Sequence, residues 1–149
     1  MRERQYSATT YIVSKKGVLL HKHQKLGLIL PVGGHIEENE LPDEAAIREV
    51  LEETNLIVDL IAPDHSLNLE SSGKTVHSPF HILLQDLGDH DHIDLVYYAY
   101  CMDPEDLVPE NKGMEYRWYT KKDLKESRDI QDDVKSCALQ ALTICEGTP

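Results

Sequence analysis

The stretch GGHIEENELPDEAAIREVLEETN, residues 33–55, constrains this chain more than any other segment. Eight of its 23 residues are acidic (Glu37, Glu38, Glu40, Asp43, Glu44, Glu49, Glu52 and Glu53), and Arg48 is its only Lys or Arg. Pro42 suits the first turn of a helix, and Asp43 and Glu44 stand where the helix dipole favours negative charge. The pattern predicts a helix from there to Thr54, entered through a tight Gly33-Gly34 turn. At about 100° per residue, Glu49, Glu52 and Glu53 share one face of it. Ile47, Val50, Leu51 and Thr54 fall opposite, where they are expected to pack against a sheet. Ala45 and Ala46 flank the carboxylates and lack bulk, leaving room for a loop or a ligand. So much like charge weakens a helix unless it faces water or meets a cation.

The rest of the chain reads as strands around this helix. YSATTYIVS and GVLLHKH, either side of Lys15-Lys16-Gly17, form a predicted hairpin. LGLILPVGG reads as one short buried strand running into the double glycine, and LIVDLIA (56–62) as another. Residues 63–74 are polar and turn-rich, a loop. PFHILLQDL and HIDLVYYAYCM are two strands joined through GDHDH, and MEYRWYT is a further one. KKDLKE is a short helix, and Ile130, Val134, Cys137, Ala138, Ala141 and Leu142 recur at helical spacing in a terminal one. The class is α/β (α+β) with a mixed sheet, in a single domain over residues 1–149.

Charge and cysteines narrow the function. A net charge of -12 argues against a nucleic-acid partner held by phosphate neutralisation. The bases are uneven: Arg2, Arg4, Lys15, Lys16, Lys22 and Lys25 fall in the first 30 residues beside a single acid, Glu3. Such a segment suits an anionic ligand while another part of the chain holds metal. Three cysteines outside CxxC spacing make neither a disulfide framework nor a zinc knuckle. A cytoplasmic protein without a membrane span or signal peptide is expected.

A hard divalent cation relieves the repulsion of clustered carboxylates, because it prefers oxygen ligands. Arg48 is then placed to orient a carboxylate from the preceding loop, Glu40 above all. On the three glutamates alone a solvated acidic face is the ordinary reading, but the wider spacing changes it. Gly34, five residues, Glu40, seven residues, then Arg48-Glu49-Val50-Leu51-Glu52-Glu53, two residues and apolar Leu56 resembles the signature box of the Nudix hydrolase (MutT-like) family. One position departs: Asn55 stands where the family has glycine. Helices commonly end there in a left-handed turn, which Asn adopts best after Gly.

The resemblance implies an α/β/α sandwich with the mixed sheet between helices. It also implies a Mg²⁺-dependent enzyme, with Mn²⁺ as the alternative, that brings water onto a nucleoside diphosphate linked to another group. Glu49, Glu52 and Glu53 are then metal ligands, with the Gly33 carbonyl a further one. Glu49 or Glu53 also helps to deprotonate the water, and Glu40 with Arg48 holds the loop on the helix. Lys22 and Lys25 are candidate contacts for the anionic substrate, and Glu115 a further base or ligand. Asp94, Tyr97 and Tyr98 are candidates for the pocket lining, and Trp118 for a core anchor. Residues that mark hydrolases of ADP-ribose, dinucleoside polyphosphates or coenzyme A are not found at their spacings. A nucleoside triphosphate, oxidised bases included, is the default by elimination; hydrolysis of ADP-ribose, nucleotide sugars or dinucleoside polyphosphates and non-catalytic nucleotide sensing are the alternatives. A third class, a zinc protein built on His90 and His92, lacks a third ligand in sequence. A homodimer is the expectation for a small enzyme.

Overall fold

In a computed structural model, residues 2–63, 67 and 69–146 are described; part of the expected 63–74 loop (64–66 and 68) lies outside them. Eleven residues of alternating apolar and small side chains make the longest strand, β1 (Arg4–Ser14). Lys15-Lys16 turn it into β2 (Gly17–His23), with Ser14 paired to Gly17 as the hairpin predicts. The chain continues through β3 (Ile29–Leu30), β4 (Val32–His35), α1 (Pro42–Thr54) and β5 (Asp59–Ile61). It then forms β6 (His81–Asp86), β7 (Asp91–Tyr100), β8 (Met114–Tyr119), α2 (Lys121–Glu126) and α3 (Asp132–Cys145). The spine of the sheet runs β3-β2-β1-β7-β5, with β4 on β1, β6 on β7 and β8 on β2. β1 and β7 are parallel along ten residue pairs, and every other pairing is antiparallel, so the sheet is mixed.

Helices cover both faces. On one, Val50 of α1 packs with Ile12, Leu19, Val32, Leu56 and Ala99, and Trp118 leans against this cluster as the expected anchor. On the other, Val134, Ala138 and Ala141 of α3 and Leu124 of α2 bury Tyr11, Val13, Val18, Leu20, Val96 and Tyr98. The strand parity decides which side chain meets which helix. Tyr97 and Tyr98 are both fully buried on opposite faces, so they belong to the core and not to a pocket lining.

Four sequence expectations need correction. The strand expected over LGLILPVGG is two strands: β3 pairs with β2, and β4 with β1. Pro31 sits at the break, because it brings no N–H to either ladder. Gly33 and Gly34 are therefore not a turn; they sit in β4 opposite Thr9 and Ala8, and neither has a positive φ. The strand expected over 56–62 shortens to Asp59–Ile61.

The fourth correction concerns the facing of α1. Ala45 and Ala46 are fully buried against Ala8 and Tyr97, whereas Ile47 and Leu51 are exposed. The packing face runs through Ala45, Ala46, Val50 and Thr54. Glu49 and Glu53 lie within that arc, so the helix turns carboxylates inward and two aliphatics outward. A helix that inverts the usual pattern at such a point does so for a site.

Candidate active site

The two ends of α1 follow from their residues. Leu41 enters in extended conformation ahead of Pro42, and its N–H is accepted by Glu44 Oε1 at 3.1 Å. Asn55 ends the helix at φ 64°, in the left-handed region, with its N–H on Leu51 O at 2.9 Å and its amide on Asp106 O. Asn in place of Gly is thus accommodated. No base follows in the last turn, so Glu52 and Glu53 oppose the helix dipole.

Arg48 holds the carboxylates. Its Nε and Nη2 donate to Glu40 Oε2 and Oε1 at 2.7 and 3.0 Å, a two-pronged pair across eight residues. Nη1 donates to Glu49 Oε1 at 3.0 Å and Glu52 Oε2 at 3.1 Å, and Nη2 also reaches the His35 carbonyl at 3.0 Å. One guanidinium thereby fastens the loop, the end of β4 and the helix together. Hydrogen bonding to Arg48 holds the Glu40 carboxyl below its ordinary range.

Glu49 and Glu53 have the opposite environment. Burial raises the pKa of Glu49 against the pull of Arg48. Burial, followed by the neighbouring Glu49 charge, pushes Glu53 up to about 7, although a hydrogen bond from the Gly33 backbone works against it. Oε2 of Glu53 is buried with no hydrogen-bond partner among the described residues. The glycines make this approach feasible. A β-carbon on Gly34 would stand 2.3 Å from the Glu49 carboxyl, and one on Gly33 2.9 Å from Ala8 O and Thr9 Oγ1.

Glu53, Gly33 and Gly34 open onto a cleft of about 410 Å³ that also takes in Ser7, Thr9, His21 and Asp94. Asp94 is buried, and its Oδ1 accepts from Ser7 Oγ at 3.0 Å and Thr9 Oγ1 at 2.8 Å. Burial raises its pKa, and those two hydroxyls oppose the shift. His21 Nε2 donates to the Pro31 carbonyl at 3.0 Å, which leaves Nδ1 as a buried acceptor without a partner among the described residues. Ser7, Thr9 and His21 were not singled out from sequence. The polar alternation at Ser7 and Thr9 within β1 was the available signal. Gln131 and Asp133, at the start of α3, enter the cleft only through the tertiary fold.

The remaining expected residues lie elsewhere. Lys22 and Glu115 line a separate cleft of about 430 Å³ with Arg117, Asp123 and Asp129, and the two clefts share no residue. Lys25 is exposed in the turn before β3 and lines neither. Among the described residues no Lys or Arg lines the first cleft. His90 and His92 stay together, with ring centroids 5.0 Å apart and His35 against the other side of His92, whereas Asp91 turns away to Arg2 and Arg4 and His90 also meets Asp89. Among the described residues no three His, Cys, Asp or Glu side chains converge as a metal chelate. In α1, Arg48 engages Glu49 and Glu52 directly. The donor set nevertheless fits a hard divalent cation: carboxylate oxygens, two of them partly buried, with one unpartnered oxygen on Glu53.

An α/β/α sandwich whose helix α1 turns arginine-braced carboxylates toward a glycine-bearing strand is suited to holding a cation beside an anionic substrate. The chain belongs to the Nudix family: the NUDIX domain matches residues 3–139. A Nudix-family hydrolase from Clostridium perfringens is 41% identical, with 95% of this chain and 98% of that one covered and a TM-score of 0.85. Two more distant structures share the fold alone. The MutT protein from Methanosarcina mazei is 16% identical, covered 99% and 98%, with a TM-score of 0.66. An Ap4A hydrolase from C. elegans is 18% identical, covered 94% and 96%, with a TM-score of 0.69. No curated protein matches the sequence. Nudix enzymes use a divalent metal and act on small-molecule nucleotides.

Proposed function

We propose that this chain is a Mg²⁺-dependent pyrophosphohydrolase, with Mn²⁺ as the alternative ion. Its substrate is a nucleoside diphosphate linked to another moiety, by preference a nucleoside triphosphate, oxidised bases included, cleaved to the monophosphate and pyrophosphate. The observation that carries this reading is the buried Oε2 of Glu53 beside Glu49, which has no hydrogen-bond partner among the described residues, in a cleft that none of the described Lys or Arg residues lines. An anionic substrate entering such a cleft needs a cation between itself and the carboxylates.

Glu49, Glu52, Glu53 and the Gly33 carbonyl would hold that cation. Bound there, it neutralises charge on the phosphoryl oxygens and lowers the pKa of water. Glu53 or Glu49 takes the proton of the attacking water. The water oxygen forms the new bond to phosphorus, and the bridging oxygen leaves with the departing phosphate. Arg48 and Glu40 position the carboxylates without touching the substrate. Asp94 is a substrate contact within the cleft. Lys22, Lys25 and Glu115 are proposed contacts only for a substrate long enough to leave it.

Screening phosphate release over nucleoside triphosphates, ADP-ribose, nucleotide sugars and dinucleoside polyphosphates, with and without a chelator, tests the reading. Metal-independent release, or tight binding with no turnover of any compound, contradicts it; the second outcome is the signature of a nucleotide sensor. A cytoplasmic setting is supported by three free cysteines, and no helix among the described residues is long and apolar enough to cross a membrane. The net charge of -12 supports the absence of a nucleic-acid partner. A homodimer is supported by β6, which among the described residues pairs only with β7 and exposes Ile82 and Leu84. An open apolar edge strand invites pairing with a second copy.

A further inference from the structure

Asp94 is only 4% exposed, yet it lines the cleft that Glu53 enters. Both hydroxyls that meet it donate to the same oxygen, Oδ1. Two donors fill the lone pairs of a carboxylate oxygen, so Oδ1 has nothing left to offer a ligand. Oδ2 accepts no hydrogen bond among the described residues, and it is not among the side-chain atoms sealed away from solvent without a partner. It is therefore not sealed off, and it is the oxygen of Asp94 left to accept a hydrogen bond from a ligand in the cleft.

The surroundings suit a flat ring. Leu30, Leu83, Val96, Met114 and Val134 supply apolar walls to the same cleft. In the strand register Ser7 lies opposite Asp94 on one side and His35 on the other. Asp94 thus stands two strands, about 10 Å, from the end of β4 that carries the glycines. That separation is the reach of one nucleoside, with its base at Asp94 and its phosphates at Gly33 and Glu53.

We propose that Asp94 selects the nucleobase: its free oxygen accepts a hydrogen bond from an exocyclic amino group, so the cleft prefers guanine, adenine or cytosine to their deaminated counterparts. This rests on the nucleotide reading of the site. A site built around a hydrogen-bond acceptor rejects a ligand lacking the donor, because the buried oxygen is then left unpaired.

Free nucleosides titrated into the metal-free protein and followed by NMR shifts test this without phosphate or metal chemistry. In at least one of the pairs guanosine/xanthosine, adenosine/inosine and cytidine/uridine, the amino-bearing member should bind about tenfold tighter. In Asp94→Asn the amide oxygen stays with Ser7 and Thr9 and the NH₂ group turns into the cleft, so the preference reverses toward the keto base. If that variant does not fold, Thr9→Val, which loosens the carboxylate but retains it, should reduce the ratio. Equal binding within every pair, no nucleoside binding, or a ratio unmoved in the variant overturns the proposal. Failure of the hydrolase reading looks different: nucleosides are discriminated, but no nucleotide is cleaved.

Discussion

The Glu49 carboxyl fills the space that a side chain on Gly34 would need. A single methyl group on the strand residue would stand 2.3 Å from the helix carboxyl, far inside contact distance. The glycine of the signature is therefore a spatial requirement of the carboxylate beside it, with no demand from the backbone dihedrals.

Gly34→Ala should accordingly displace Glu49 and loosen its 3.0 Å bond to Arg48. We expect kcat to fall by about 100-fold, in line with misplacing a catalytic group by roughly 1 Å, while far-UV circular dichroism stays unchanged. A normal kcat in Gly34→Ala would show that the close approach is dispensable.

Arg48→Lys keeps the charge but loses the planar fork. A lysine ammonium does not span both oxygens of Glu40 while also reaching Glu49, Glu52 and the His35 carbonyl. Urea titration should find a loss of about 1–2 kcal/mol, the scale of one or two charge-assisted hydrogen bonds. A midpoint within error of the parent would mean the bracing adds nothing to stability.

Glu53 gives the metal-free protein an unusual pH dependence. Its pKa is about 7 when folded against an ordinary 4.5, so between those values the folded state binds more protons than the unfolded one. Stability from this group therefore falls as pH rises through that window, and the whole cost is present above pH 7. Thermal melting should show a lower Tm at pH 8 than at pH 5.5, Mg²⁺ should restore it at pH 8, and Glu53→Gln should flatten the profile. A Tm that rises across the window and is unmoved by Glu53→Gln contradicts this environment for Glu53.

The local chemistry of α1 was legible in sequence because it is encoded by spacing within one element. Pro42, the carboxylate triad, Arg48 reaching back to Glu40, and Asn55 as the helix stop all follow from neighbours in the chain. What lay beyond it was the facing of the helix. Helical periodicity assigned Ile47 and Leu51 to the core, but the sheet accepts Ala45 and Ala46 because they are small enough to bring Glu49 and Glu53 up to β4. The substrate cleft was equally hidden. It joins β1, β4, β7 and the start of α3, and only the parallel β1–β7 pairing brings Ser7 to Asp94. Lys22 and Lys25 looked suited to phosphate by charge alone, and strand parity turned Lys22 into the other cleft.

Paired substitution of Ile82 and Leu84 by lysine tests the edge of β6. Sedimentation velocity should find a dimer for the parent chain and a monomer for the variant, with the helical signal retained. A parent that sediments as a monomer at all concentrations removes the homodimer from the account.

The central claim is that the carboxylates of α1 direct water onto a phosphoric anhydride. It is tested most directly by hydrolysis of nucleoside triphosphates in H₂¹⁸O with Mg²⁺, comparing the parent with Glu53→Gln. The account predicts nucleoside monophosphate and pyrophosphate, one of them carrying a single ¹⁸O, and loss of turnover in a variant that remains folded. Undiminished turnover in Glu53→Gln would contradict it.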